Sequence, residues 1–425
     1  MPLTVDTYRA VRIRRRIAKL LLIFSSAPPF SLHAQQFRLF DRTIQVHGFA
    51  SQGFVHSDHN NWLTMYTSHI GSGEFTDFGA NASTQVTDRL HIGAQVYGRN
   101  LGHLGQWQPS VDWAFADYRF KPWLGLRGGK VKTVLGLYND TQDLDFLHPF
   151  ALLPQSVYPT DVRDATMSHT GGDLYGSVFV PHRLGALSYT VYAGHRWDNT
   201  HSGYPYLLSQ FGTHFRQFGG LQYGGDLRWN TPIPGLLMGA SRLDQDTAGK
   251  GTSVNPANRG GGTIPFSEWS KADWTNQFYG QFTHGKLLVD SEYRRYVRQQ
   301  IVFGGESLNF TDVRGWYVAG SYRVMKPLEL GSYYSRYSIT SVVGGVLAEI
   351  GMPQHTNTSL PQNHIYDKVV TARLDFNRFW NIKIEGHFMN GYGAGTYPDG
   401  FYPQVNPKGF EPTTNALVLK TSVSF

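Results

Sequence analysis

The residues of this chain with chemical potential are mostly charged, and they fall on one parity of alternating segments. Arg99, Arg196, Arg228, Arg294, Arg323, Arg373, Lys383 and Lys420 occur this way, and Asp226, Asp290, Glu292, Asp375 and Glu385 share their parity. Successive side chains of an extended segment face opposite sides, so this pattern describes a wall with a polar inner face. A second group lies between 138 and 172, where Asp140, Asp143, Asp145, His148, Asp161, Arg163 and Asp164 alternate with Phe146, Leu147, Phe150, Leu152, Leu153, Val157 and Tyr158. The chemistry such sets offer is electrostatic steering of ions and polar solutes. Any one wall charge is at least as well explained by an ion pair, such as Glu385 with Lys383 or Arg373, or Glu292 with Arg294.

Bond-making chemistry is poorly supported. Neither Gly-x-Ser-x-Gly nor His-Glu-x-x-His occurs. His56-Ser57-Asp58-His59 lacks defined partners and reads as a solvated loop rather than a metal site. Arg259-Gly260-Gly261-Gly262 lacks the strand-loop-helix setting of a phosphate cradle. No cofactor and no metal are expected.

The elements that position the charges are strands. Leu90, Ile92, Ala94 and Val96 alternate with His91, Gly93, Gln95 and Tyr97, and Leu417, Leu419, Thr421, Val423 and Phe425 alternate with Val418, Lys420, Ser422 and Ser424. Tight polar turns fall at 87–89, 121–123, 181–185, 230–235, 284–286, 325–327 and 378–381. Longer polar stretches lie near 56–74, 99–110, 138–172, 196–218, 244–270, 296–312, 337–366 and 389–411. Seven tight turns and two terminal strands give 16 strands, with 14 to 18 acceptable. The fold class is therefore all-β: a transmembrane, antiparallel, up-and-down barrel with short turns on one rim and long loops on the other. Strands near 43–54, 124–137 and 236–243 have glycines or mixed parity and the least certain register. Trp123, Trp229, Phe379 and Trp380 flank tight turns, where a membrane girdle needs them.

The first 34 residues join a basic run to a short apolar core and end in Leu32-His33-Ala34, the order of a secretory signal peptide cleaved after Ala34. The chain has 38 Lys and Arg against 31 Asp and Glu. The leader holds six of the basic residues and one of the acidic ones, so residues 35–425 carry only +2 and offer no nucleic-acid surface. Cysteine is absent, so an exported chain of this size must rely on burial and backbone pairing, which a closed barrel supplies.

The stretch Gly128-Gly129-Lys130-Val131-Lys132-Thr133-Val134-Leu135-Gly136-Leu137-Tyr138, entering a long third loop, resembles the corresponding strand of Gram-negative porins, in particular phosphate-selective-porin-like and related substrate-specific trimeric porins. The terminal Phe425, the leader and the strand count extend that likeness over nearly the whole chain. The resemblance implies a homotrimer in the outer membrane, in contact with lipid and lipopolysaccharide, whose third loop narrows the pore with Lys130 or Lys132 near the constriction. Departing from the pattern, Val134-Leu135 replaces a proline before the glycine, and no lysine ladder appears. Five Asp against Arg163 in the 138–172 loop, facing a basic wall, would set up a transverse field. The function expected is passive diffusion of small hydrophilic solutes. The alternatives are a barrel-borne hydrolase and a loop-mediated adhesin.

Overall fold

The computed structural model describes residues 35–39, 42–181, 184–201, 203–254, 262–302, 307–343, 357–393 and 401–425. The leader and most of the Arg259–Gly262 segment lie outside them. The strands are β1 (Gln35–Leu39), β2 (Arg42–Ser57), β3 (Ser72–Thr87), β4 (Leu90–Leu101), β5 (Ser110–Lys121), β6 (Leu124–Lys132), β7 (Ser168–Phe179), β8 (Ala186–Trp197), β9 (Thr213–Asn230), β10 (Leu236–Val254), β11 (Thr263–His284), β12 (Leu287–Val302), β13 (Ser307–Met325), β14 (Leu328–Val343), β15 (His364–Asn377), β16 (Trp380–Asn390) and β17 (Thr413–Ser424). Each of β2 to β17 pairs antiparallel with its chain neighbour, and β17 returns to β2 through Val418↔Val55, closing a ring of 16. The short β1 pairs with the start of β2. Gly48 and Phe425 exchange backbone bonds of 3.1 and 2.9 Å, so the closing strand is fastened to its last residue.

Alternation sorts the two faces as expected. In β17, Thr414, Ala416, Val418, Lys420 and Ser422 are buried, while Leu417 is 41 % exposed. Closure gives every strand of the ring a partner on both sides, as a barrel that spans lipid requires. All seven tight turns lie at or within two residues of the expected positions. Gly285 takes φ +58°, a conformation costly for other residues, in the two-residue link between β11 and β12.

Three boundaries differ from expectation. Strand β6 stops at Lys132 rather than 137, and the third loop therefore runs from 133 to 167. The 244–270 and 296–312 stretches are largely strand: β10, β11, β12 and β13 continue through their polar sequence, because pairing with a neighbour supports residues that alternation alone would reject. The one α-helix among the described residues, α1 (Gly203–Ser209), caps the loop before β9. Among the described residues no helix is long and apolar enough to cross a membrane.

Candidate permeation site

The 133–167 loop packs inside the barrel, and of its residues Leu147 alone is exposed. Asn139 ties its neck by donating Nδ2 to Thr133 O at 2.7 Å and Thr166 O at 2.8 Å. The chain then passes along β8–β12. Leu135 packs with Tyr192 and Leu243. Gly136 donates its N–H to Ser241 Oγ, and its carbonyl accepts from Arg228 at 2.9 Å. At Gly136, φ is +69° and a Cβ would sit 1.9 Å from Gln277 Nε2, so only glycine fits this approach.

On β11–β13 the grip is made of hydroxyls and carboxylates. Tyr138 Oη donates to Asp290 at 2.5 Å, Tyr158 Oη to Glu292 at 2.6 Å and Tyr317 Oη to Glu292 at 2.7 Å; Gln277 Nε2 donates to Glu292 at 2.7 Å. On β15–β17 the grip is ionic. Lys383, fully buried, donates to Asp145 O at 2.6 Å and Phe150 O at 2.9 Å, and lies 3.0 Å from the Asp145 carboxylate, which Lys420 approaches equally closely. Glu385 accepts from the N–H groups of Ala151 and Leu152, and Arg373 donates to His148 O at 3.1 Å. On β4–β6, Arg99 donates to Thr160 O at 2.5 Å, Arg163 pairs with Asp112 at 3.0 Å over the Tyr97 ring, and Lys132 pairs with Asp143 at 2.7 Å. Arg196 and Arg294 hold Ala165 O and Val157 O.

The loop charges are set by these neighbours. Burial pushes the Asp145 carboxyl up, but the Lys383 and Lys420 ammonium groups outweigh it and hold it well below the usual carboxylate range. Asp143 is likewise lowered against burial by Lys132 and Arg163. Burial wins at Asp140 and at Asp161, whose carboxylate accepts from Tyr402 Oη, and both are raised. Burial lowers His148 to about 4, so its imidazole is neutral against the Tyr138 ring.

Most of the sequence-selected residues therefore meet at one lumenal layer: Arg99, Lys132, Asp143, Asp145, Arg163, Asp164, Arg196, Arg228, Arg294, Arg373 and Lys383, with Asp140 and Asp161 inside the loop. Two lie elsewhere. Lys130 has the parity opposite to buried Val131, and its Nζ caps Val111 O. Arg323 pairs with Glu329 and Asp375 at the short-turn rim, away from the loop. The expected transverse field is a correction: Asp143, Asp145, Asp164 and Arg163 are each matched by a close opposite charge, because charges withdrawn from water are retained only when paired. Sequence reading also missed two further inward segments. Trp62, Leu63 and Met65 from the loop after β2, and Phe401, Tyr402 and Val405 from the loop before β17, are buried; most of them join Leu152, Tyr337 and Ile365 in one apolar cluster. The same test that singled out the third loop, bulky apolar residues within a polar stretch, would have found them.

Beside the loop lie a cavity of about 40 Å³ bounded by Arg99, Gln142, Asp145, Tyr158, Arg163 and Lys420, room for a few waters, and one of about 80 Å³ lined by Asn139, Gln155, Tyr158, Arg196, Gln245 and Arg294. Among solved structures, the chain is similar to the trimer form of OmpT, an outer membrane protein of Vibrio cholerae, at 11 % identity and TM-score 0.51, covering 90 % of this chain and 99 % of that one. It is similar to the anion-selective porin of Comamonas acidovorans at 10 % identity and TM-score 0.53, covering 90 % and 100 %. The fold is the closed 16-stranded barrel that these outer-membrane channels also have. The outer membrane channel DcaP of Acinetobacter baumannii matches at 8 % identity and TM-score 0.52, covering 92 % and 99 %. No family model and no curated protein matches the sequence. In this lumen the third loop touches wall strands of the β4–β6, β8–β13 and β15–β17 arcs.

Proposed function

We propose that the protein is a passive channel of a Gram-negative outer membrane, exported by its leader and assembled as a homotrimer, that admits ions and very small hydrophilic solutes without catalysis or a cofactor. The observation that carries this reading is the 133–167 loop seated in a 16-stranded lumen, since a barrel of that size has an interior wide enough for water unless something fills it. Selection is steric first. The cavities between loop and wall on the β4 and β17 side include one of water size whose rim carries Arg99, Arg163 and Lys420 with Asp145, so an ion passing there exchanges hydration for fixed charges of both signs. Larger solutes need the loop to shift.

Planar-bilayer recording of the purified protein tests this. Small unitary steps, at least several-fold larger after deletion of residues 140–165, are the expected result. Silence from folded protein both before and after the deletion would sink the channel reading and favour a binding role for the long loops.

A further inference from the structure

On the outer wall, near the long loops, two tryptophans face each other across an almost bare floor. Trp197 of β8, Gly219 of β9, Ala248 of β10 and Trp269 of β11 are paired in turn and form one cross-strand row of outward parity. Three strand spacings separate the two indoles, about 14 Å at the backbone. Trp197 is 65 % exposed and Trp269 half-buried. The trough between them has a volume of about 310 Å³, with Gln217, Asp246 and Lys271 at its edges. That is room for a small ligand.

Both ends of the row are built with local care. A Cβ at Gly219 would come 2.4 Å from Arg196 O and 3.1 Å from the Trp197 ring, so a side chain there would displace the indole. At the other end β11 bulges, with Lys271 and Ala272 inserted opposite Asp246. Ala272 takes a left-handed φ of 56° and donates its N–H to the Asp246 carboxylate at 2.8 Å. Bulges re-aim side chains, and this one sets Lys271 at the edge of the trough.

The position excludes acyl chains as the occupant. The outward rings Phe278, Tyr293 and Trp316 form one row, and the next row toward the long loops is Arg242, Asn276, Arg295 and Arg314, where the apolar band ends. From Arg242 to Ala248 the strand runs on for about 20 Å. An added peptide strand finds no free edge on the floor, since β9 and β10 are each bonded on both sides. Asp246 and Lys271 supply one charge of each sign, which selects neither a polyanion nor a polycation. What remains is a ring with apolar faces and a polar rim. A pyranose has both: its C–H faces pack on indoles, and its hydroxyls exchange hydrogen bonds with amide, carboxylate and ammonium groups.

We propose that this trough binds a pyranose of a polysaccharide chain, packed against Trp197 and Trp269 and hydrogen-bonded by Gln217, Asp246 and Lys271. The site lies on the outside of the barrel, so it stands or falls apart from the lumen and its third loop.

The purified chain, in an amine-oxide detergent that carries no sugar, is applied to a printed array of lipid-free glycans spanning neutral hexoses, amino sugars, deoxyhexoses and uronic acids, and the glycans retained are titrated in solution. Saturable binding is expected, weakened about ten-fold or more by Trp197→Ala and by Trp269→Ala. Trp107→Ala, which removes another exposed indole outside the trough, should leave it unchanged. Ala248→Leu fills the floor and keeps both rings, and it should abolish binding as well. Heat-modifiable migration is the folding control for each variant. No retention of any glycan by the folded native chain, or an affinity untouched by both tryptophan changes, overturns the proposal. Binding to intact glycolipid micelles without binding to the sugar released from them also overturns it, because the contact would then be with acyl chains. Sugar binding by a protein silent in bilayers would count against the channel and leave the trough standing; conductance without sugar binding would do the reverse.

Discussion

The two long arcs of wall that hold the third loop use different chemistry for the same task. On β15–β17, Lys383, Lys420 and Arg373 surround Asp145 and the carbonyls near it, and the loop is gripped by paired charges. On β11–β13, Asp290 and Glu292 make no ion pair among the described residues and instead accept from Tyr138, Tyr158 and Tyr317. The difference teaches where strength and adaptability reside. A buried ion pair is lost abruptly when one partner goes, because the other charge is stranded. A hydroxyl that donates to a carboxylate can be removed at the smaller cost of one hydrogen bond. The ionic arc should therefore be the stiff hinge of the loop and the tyrosine arc the side that yields.

The sharpest way to break that contrast is Lys383→Met. It leaves Asp145 with Lys420 alone and strips the carbonyls of Asp145 and Phe150 of a donor, at a cost of about 3–5 kcal/mol. A sole cysteine placed at Phe150 should then be labelled about 100-fold faster or more. An unchanged rate would show that the ionic arc is not what holds the loop.

Acid tests the junction of the two arcs. His148 lies against Tyr138 of one arc and is held through its carbonyl by Arg373 of the other. Its pKa is lowered by burial to about 4. Its neutral ring therefore favours the packed loop fully above the ordinary histidine value of about 6.5. That contribution, up to about 3 kcal/mol, is lost between pH 6.5 and 4. Asp145 holds its charge through this window. Asp140 and Asp161, raised by burial, gain in the opposite sense as pH falls. The expected outcome is faster labelling of the Phe150→Cys site at pH 4.5 than at 7.5, measured against Leu147→Cys at each pH, with the difference removed by His148→Phe. Identical pH profiles with and without the imidazole would assign the response to the carboxyls.

These contrasts also mark what the sequence could and could not display. Two-residue alternation made the wall legible: Lys383, Glu385 and His387 must share a face, and the tight turns set how the strands follow one another. The apolar residues of the third loop announced burial. Pairing across the lumen was not legible, since Lys383 and Asp145 are 238 residues apart and no local pattern joins them. Nor was the tyrosine arc, because Tyr138, Tyr158 and Tyr317 differ in the sequence from any other strand or loop aromatic only by what stands opposite. The polar runs of β10–β13 misled because period-two reading treats a polar stretch as a loop, whereas a neighbouring strand can carry it.

The smallest effect is the one that separates the arcs most cleanly. Tyr158→Phe keeps the ring and its packing beside Phe150 and Tyr333, and removes a hydroxyl that donates to Glu292 and accepts from Tyr138 N–H and Gln277. Glu292 keeps Tyr317, Gln277 and the Leu137 N–H as donors, so the loss should be about 1–2 kcal/mol. Labelling of a cysteine at Val157 should rise roughly ten-fold, while labelling of a cysteine at Ala151, whose N–H is held by Glu385 on the ionic arc, stays put. If instead both positions open together, the loop moves as one rigid plug, and the distinction between a stiff side and a yielding side fails.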